Sequence, residues 1–443
     1  MAFPHLLRLS LAGILALPAL LLLIAVAPFV ILLSIPSLAI LVRRKRSFLP
    51  SFSFSPQQQQ RTGTGTGITG NNNDNQHSND DDDNHHHHPL LQHAVITGGS
   101  SGIGLSIALE LAKRKCRHIT LVARKEGQLA DAKRLVEKSA AIAATETAAA
   151  SSVSLSKTTT TSVHVVSVDV TDYTALEKAV TTLCDDDSGK DNNSQLQLPG
   201  PPTLLFNCAG YSTPLAFEDL SASNFRSQVD VNYLGSVHVV KAFLPHMTRS
   251  SSIGGNIILT SSLSGQTGTY GYSAYSPTKF ALRGFAECLS MELAAKKKTK
   301  NEGSSGSNNS NGNDVNISLA YPPDTKTPGY EIEMQSKPEA CRLISESGGV
   351  WDAEVVGKKM VNEAMSPNPS FDIYFGIDGW MLVTLTSGMN PVTSLVDAIY
   401  QVAMMGLHRF VSLFYLMDFG RITQRCHDTE NTCVENEDSS KED

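Results

Sequence analysis

Short apolar runs alternate with amphipathic segments over the middle of the chain, between residues 92 and 330. The runs are short and bounded by polar or glycine residues, as is typical of strands buried on both faces. A segment with helical periodicity, residues 103–115, separates the first two runs. This alternation predicts an α/β fold in which helices cover both faces of a parallel sheet. The predicted strands are residues 93–97, 118–123, 163–168, 203–207, 257–260 and 315–320.

The fifth predicted strand leads into a long amphipathic helix that begins near a tyrosine and a lysine. Tyr275 and Lys279 are four residues apart, which places both side chains on one side of that helix. A nearby cation lowers the pKa of a tyrosine, and the hydroxyl of Ser262 can hold a carbonyl oxygen against it. These groups suit reversible proton transfer to a carbonyl, although the same spacing is common on solvated helices. The inward-facing apolar positions of this helix are Leu282, Phe285, Leu289 and Leu293.

The N-terminal region contains a nearly unbroken apolar run, residues 11–42, that ends at four basic residues. The run is long enough to cross a bilayer, which requires about 20 residues. It is longer than the core of a cleaved signal peptide, which is the alternative. We therefore expect residues 1–46 to be a retained membrane anchor. The basic cluster favours a cytosolic position for the rest of the chain.

Several segments have compositions that do not support a packed core. Residues 47–91 are a low-complexity stretch and predict a disordered tether. Polar inserts at residues 139–162, 185–202 and 295–314 predict expanded surface loops.

The C-terminal region is rich in apolar residues and then becomes acidic. Residues 376–420 predict hydrophobic helices that associate with the membrane at its interface, with packing in a homo-oligomer as the competing interpretation. Residues 421–443 predict a disordered acidic tail.

Length and charge narrow the classes of function. The 443 residues fit one catalytic domain, residues 92–375, with appendages better than three globular domains. The net charge is −7 and basic residues form no long stripe, so we expect no nucleic-acid partner. The seven cysteines show no paired close spacing, which predicts neither a disulfide framework nor a zinc site.

A glycine-rich turn joins the first predicted strand to the first predicted helix. Glycines there permit a tight turn and let a pyrophosphate approach the N-terminus of the helix, whose free N–H groups favour anions. A turn of this kind is weak evidence alone, but its position after a buried strand predicts a dinucleotide site. The residues of this site are Gly98, Ser100, Ser101, Gly102 and Gly104.

The ends of the next strands suggest which dinucleotide binds. The second strand ends at Arg124 without an acidic residue, so the guanidinium can pair with the 2′-phosphate of NADPH. Asp169 follows the third strand, where it could meet the adenine ring or cap the next helix. Asn207 ends the fourth strand, beside the expected path of the cofactor. Asn232 lies in a predicted helix and could face the site through a water or serve as a structural hydrogen-bond partner.

Taken together, these motifs resemble the short-chain dehydrogenase/reductase family. The resemblance covers residues 92–330 and implies a Rossmann-type, doubly wound parallel sheet. It implies that Tyr275 is the acid/base, that Lys279 lowers the pKa of the tyrosine and holds the nicotinamide ribose, and that Asn232 supports a proton-relay water. A serine orients the carbonyl; the family's usual spacing favours Ser262 over Ser261 without deciding between them. The matching pieces are residues 97–104, residues 207–210, Asn232, Ser262, Tyr275 and Lys279.

Within the family, the chain is most similar to the reductases of long-chain sphingoid ketones. That resemblance implies an NADPH-dependent membrane enzyme of the endoplasmic reticulum whose catalytic domain faces the cytosol. The glycosylation sequons at Asn192, Asn308 and Asn316 are then accidental. The alternatives are a membrane-bound reductase of retinoid, steroid or 3-ketoacyl substrates, and a non-catalytic NADP sensor. The segments that carry the resemblance are residues 98–102, 273–293, 321–329, 342–346 and 388–394.

Overall fold

The computed structural model of the protein describes six stretches of the chain. They are residues 88–150, 161–184, 199–250, 254–303, 314–392 and 394–439. The predicted membrane anchor, nearly all of the predicted tether, and the sequons at Asn192 and Asn308 lie outside the described residues.

A seven-stranded parallel sheet forms the centre of the described part. Its order is β3-β2-β1-β4-β5-β6-β9, so the chain moves outward from β1 and then returns to build the other half. The reversal between β1 and β4 places a crevice at the carboxyl ends of these strands, where ligands bind in folds of this kind. The predicted doubly wound parallel sheet is confirmed. The strands are β1 (His93–Thr97), β2 (His118–Ala123), β3 (Ser162–Ser167), β4 (Leu204–Asn207), β5 (Gly255–Thr260), β6 (Val315–Ala320) and β9 (Asp372–Ile373).

Two further strands form a small separate sheet, β7 (Thr325–Lys326) with β8 (Trp351–Asp352). Helices cover both faces of the main sheet. The helices are α1 (Gly102–Lys113), α2 (Glu126–Ala150), α3 (Tyr173–Cys184), α4 (Ala222–Gln228), α5 (Gly235–Ser250), α6 (Ser276–Gly303), α7 (Pro328–Met334), α8 (Glu339–Glu346), α9 (Ala353–Ala364), α10 (Gly376–Thr386) and α11 (Leu395–Ser439).

The core has one layer on each face of the sheet. Helices α3, α5 and α6 pack on one face, where Leu282, Leu289 and Leu293 are buried as predicted. Helices α1, α2 and α9 pack on the other face through residues such as Leu111 and Met360. The strands are rich in branched apolar residues because both faces are covered.

Two of the predicted loop inserts are partly helical, which corrects the sequence prediction. Helix α2 continues to Ala150 and helix α6 to Gly303, so residues 139–150 and 295–303 extend existing helices. Alanine and lysine dominate these stretches and have high helix propensity. The predicted helix around Asn232 is interrupted by a π-helical turn, Val229–Leu234, between α4 and α5.

The C-terminal helix α11 spans 45 residues and continues through the predicted disordered tail. The boundary predicted at residue 421 is therefore wrong for residues 421–439, where an already nucleated helix extends through residues that tolerate it. Among the described residues, one helix, Leu395–Thr429, is long and apolar enough to cross a membrane. Its exposed apolar side chains include Leu395, Val396, Ile399, Val402, Leu413, Phe414, Leu416 and Met417.

Candidate active site

The glycine-rich turn lies at the carboxyl end of β1, at the crevice. Gly98 and Gly102 have φ angles of 66° and 55°, which L side chains rarely adopt. A Cβ on Gly104 would lie 2.4 Å from the Gly98 carbonyl oxygen, so the helix approaches the turn closely. Ser101 starts α1 without a side-chain cap, which leaves the first N–H groups to another acceptor. This cradle fits a pyrophosphate, with Ser100 in the same turn.

The predicted pair for the adenosine end meets at the edge of this cradle. Arg124 Nη1 lies 3.6 Å from Asp169 Oδ2, and both side chains are substantially exposed. Asp169 accepts hydrogen bonds from the N–H and hydroxyl of Thr171. Burial raises the pKa of Asp169, but these bonds and the charge of Arg124 outweigh it, so the pKa is lowered. Asp169 is thus an anion that pairs with the guanidinium of Arg124.

Tyr275, Ser262 and Lys279 meet at the mouth of the crevice. Tyr275 directly precedes α6, and Lys279 lies one turn into that helix. The Lys279 Nζ donates to the Thr260 carbonyl at 2.9 Å and lies 5.6 Å from the centre of the Tyr275 ring. Ser262 starts a 3₁₀ turn, Leu263–Gly265, and its hydroxyl lines the same cavity as Tyr275 and Lys279.

The two adjacent serines have different positions. The Ser261 hydroxyl is buried and donates to the Lys279 carbonyl at 3.0 Å. Both serines line the same cavity as Tyr275, but the Ser262 hydroxyl accepts from the Ser264 N–H at 3.1 Å and is the one that influences the pKa of Tyr275. This geometry favours Ser262 as the serine that contacts a ketone.

Burial acts on the pKa values of both Tyr275 and Lys279. Its pKa is raised, first by burial and then by the charge of Glu333, while the hydrogen bond from Ser262 acts in the opposite direction. Burial lowers the pKa of Lys279 to about 8. In this structure the Lys279 Nζ is directed to the Thr260 carbonyl, and the role of Lys279 in lowering the pKa of Tyr275 stays a prediction.

Two predicted asparagines turn their side chains into the protein. Asn207 accepts from the Thr97 hydroxyl at 2.9 Å and donates to the Ser236 carbonyl at 3.1 Å. Asn232 holds the backbone of Tyr211 at both its N–H and its carbonyl, each at 2.9 Å. Both asparagines thus fix the frame of the crevice, and the cofactor contact of Asn207 stays a prediction.

Two cavities meet at Ser262. The first, the reaction cavity, has a volume of about 370 Å³. Its walls include Ser262, Tyr275, Lys279, Asp324 and Glu333.

The second cavity, the helical cavity, has a volume of about 530 Å³ and continues between α10 and α11. It shares Ser262, Tyr272 and Asp324 with the reaction cavity, so the two cavities meet at these residues. Its far walls include Met381, Leu382, Leu385, Leu416 and Phe419.

Sequence reasoning missed a charged cluster behind Tyr275. The Lys337 side chain is fully buried, and its Nζ lies 2.7 Å from Asp324 and 3.4 Å from Glu333. Tyr272 donates a hydrogen bond to Glu333. The available signal was the spacing of Glu333 and Lys337, four residues apart, but such pairs are common on exposed helices.

Comparison with known proteins identifies the family. The family model for short chain dehydrogenases matches residues 129–302. A 3-dehydrosphinganine reductase of Danio rerio is 40% identical over 342 residues, which are 77% of this chain and 88% of the relative. A 3-ketodihydrosphingosine reductase of Bos taurus is 41% identical, covering 75% of this chain and 86% of the relative. A 3-dehydrosphinganine reductase of Arabidopsis thaliana is 32% identical, covering 76% and 87%.

A solved structure adds support for the fold alone. Levodione reductase is 20% identical and superposes with a TM-score of 0.50, covering 66% of this chain and 98% of its own. The resemblance inferred from the sequence motifs is confirmed by the relatives. The chain therefore belongs to the short-chain dehydrogenase family of oxidoreductases, in the group of the 3-ketodihydrosphingosine reductases.

Proposed function

We propose that the protein reduces 3-oxosphinganine (3-ketodihydrosphingosine) to sphinganine with NADPH, in the synthesis of sphingolipids. The observation that carries the proposal is the meeting of Ser262, Tyr275 and Lys279 at a cavity that continues into an apolar one. Relatives that match most of this chain carry the name of this reductase.

Each side chain has a separate role in the proposed reaction. The glycine cradle and Lys279 would hold NADPH, which would supply the hydride for the ketone carbon when bound. Tyr275 donates its proton to the ketone oxygen, and Ser262 hydrogen-bonds that oxygen and holds it in place. Lys279, with Tyr275, holds the nicotinamide ribose. Asn232 positions the loop at Tyr211 that closes the same wall.

The helical cavity provides a place for the long alkyl chain of the substrate. It begins at Ser262, next to the proposed ketone position, and continues past Leu385 to Phe419 on α11. Burial of an alkyl chain is favourable by about 0.8 kcal/mol for each CH₂ group. A small ketone would gain little from this cavity. The extent of the cavity therefore favours a ketone with a long alkyl chain.

The position of α11 also supports a membrane location. This helix lines the helical cavity with Leu416 and Phe419 and exposes many apolar residues on its outer surface. We place the protein at the endoplasmic reticulum membrane, with the catalytic domain facing the cytosol and membrane lipid against α11. A lipid ketone could then enter the cavity from the bilayer.

The cofactor assignment to NADPH rests on Arg124. We expect Arg124→Leu to raise the KM for NADPH by about 10- to 100-fold, the effect of losing one charge-assisted contact to a phosphate. The KM for NADH should change little, because NADH has no 2′-phosphate. Steady-state kinetics with both cofactors measures this, and Arg134→Leu, an exposed arginine on α2, is the matched control. Equal use of both cofactors by the unmodified enzyme would refute the NADPH assignment.

The function itself is tested by NADPH oxidation in membranes that contain the protein. We expect oxidation to depend on added 3-oxosphinganine and to yield sphinganine, detected by mass spectrometry. Retinoid, steroid and 3-ketoacyl ketones, presented in the same liposomes, serve as competing substrates. Faster turnover of any of these would assign the enzyme to that substrate class, and tight NADPH binding without turnover of any ketone would indicate a sensor.

A further inference from the structure

A charged cluster lies in the wall of the reaction cavity, and the proposed proton transfer does not use it. It consists of Asp324, Glu333 and Lys337. Asp324 and Glu333 both line the cavity, and their side chains are 22% and 17% exposed. The Lys337 side chain is fully buried and pairs with both carboxylates. The lysine therefore lies behind the carboxylates, and the two acidic groups face the reaction cavity.

The cluster carries one net negative charge, because two carboxylates share one ammonium. Ser212 and Tyr272 donate hydrogen bonds to the two oxygens of Glu333 and fix its orientation. A carboxylate can accept about four hydrogen bonds, so Glu333 retains room for a donor from the cavity. An unbalanced charge in a partly buried wall is unfavourable unless a partner neutralises it. The cluster is thus complementary to a cation.

The cluster also lies close to the proposed proton donor. The ring centres of Tyr272 and Tyr275 are 5.3 Å apart, and the hydroxyl of Tyr272 contacts Glu333. After burial, the charge of Glu333 is the largest influence that raises the pKa of Tyr275. A cation bound at Glu333 would offset this charge at the reacting tyrosine.

We infer that Glu333, supported by Asp324, binds a cationic amine attached next to the ketone, so that the site selects α-amino ketones over plain ketones. The inference rests on the proposed function, because 3-oxosphinganine carries its amine on the carbon beside the ketone. Glu333 is then a specificity-determining residue, and the ketone is placed at Tyr275 only when the amine is held.

The test compares two ketones in the full-length enzyme. Glu333→Gln keeps the size of the side chain and an acceptor oxygen for one of the two donors, Ser212 or Tyr272, but removes the charge. Its kcat/KM for 3-oxosphinganine should fall by about 10- to 100-fold, the loss of one charged hydrogen bond. Its kcat/KM for the 1-hydroxy-3-ketone of equal chain length, which lacks the amine, should stay nearly unchanged. Glu331→Gln, an exposed carboxylate on the same helix α7, is the control and should leave both values unchanged.

Each outcome has a distinct meaning. An unmodified enzyme that reduces 3-oxosphinganine without preferring it to the amine-free ketone overturns the inference, even where Glu333→Gln does not fold. An equal loss on both ketones in a variant that still binds NADPH also overturns it, since Glu333 would then be structural. If the unmodified enzyme reduces neither ketone, the proposed function fails instead.

Discussion

Tyr275→Phe should lower kcat for ketone reduction by about 10²- to 10⁴-fold, the usual contribution of a positioned acid or base. The substitution removes only the hydroxyl and leaves the ring that forms part of the cavity wall with Ser262. NADPH binding should be largely retained, because the glycine cradle and Arg124 are not affected. Stopped-flow measurement of NADPH oxidation and a fluorescence titration of NADPH separate the two quantities.

Tyr272→Phe is the matched control for this prediction. Its ring lies next to that of Tyr275, but its hydroxyl donates to Glu333 and is not placed beside Ser262. We expect the control to retain most of its kcat at saturating substrate, because the Tyr272 hydroxyl contacts Glu333, the proposed amine-binding residue, so its loss affects mainly the KM. A fully active Tyr275→Phe enzyme paired with an inactive Tyr272→Phe enzyme would move the proton donor to Tyr272.

The sheet and the Tyr275 site could be predicted from sequence because their signals are local. The strands β2 and β6 were placed without error, since each is an apolar run bounded by polar residues. Tyr275 and Lys279 share one helix, so their spacing alone fixes which side they occupy. The α6 core positions follow from the same periodicity.

The features that were missed depend on contacts between distant segments. Strand β9 contains only two residues and is defined by its pairing with β6, not by its own composition. The orientation of Asn207 depends on Thr97, which is 110 residues away in the chain. The pKa of Tyr275 is set by burial and by Glu333, neither of which is visible in the motif that contains it. Sequence therefore predicted which residues meet, but not the charges that surround them.

Lys337 holds the segment after β6 against the active site. Its Nζ donates a hydrogen bond to Asp324, which follows Pro322 and Pro323 after β6, and lies 3.4 Å from Glu333 on α7. It also lies 5.4 Å from the ring centre of Tyr272. Burial lowers the pKa of Lys337, but the two carboxylates outweigh it and raise that pKa. The lysine is thus a buried cation whose charge is fully matched by its neighbours.

Lys337→Met should therefore lower the free energy of unfolding by about 3–5 kcal/mol, because it leaves two partly buried carboxylates without a cation. Urea denaturation of the detergent-solubilised protein measures the change.

Lys326→Met is the control: that lysine also pairs with an aspartate, Asp352 at 3.0 Å, but both side chains are 65% exposed. Loss of this pair should change stability by less than about 1 kcal/mol. Adding Asp324→Asn to Lys337→Met should recover part of the loss, since one unpaired charge is removed. A Lys337→Met protein as stable as the control would show that the carboxylates are solvated and that the cluster is not a buried ionic network.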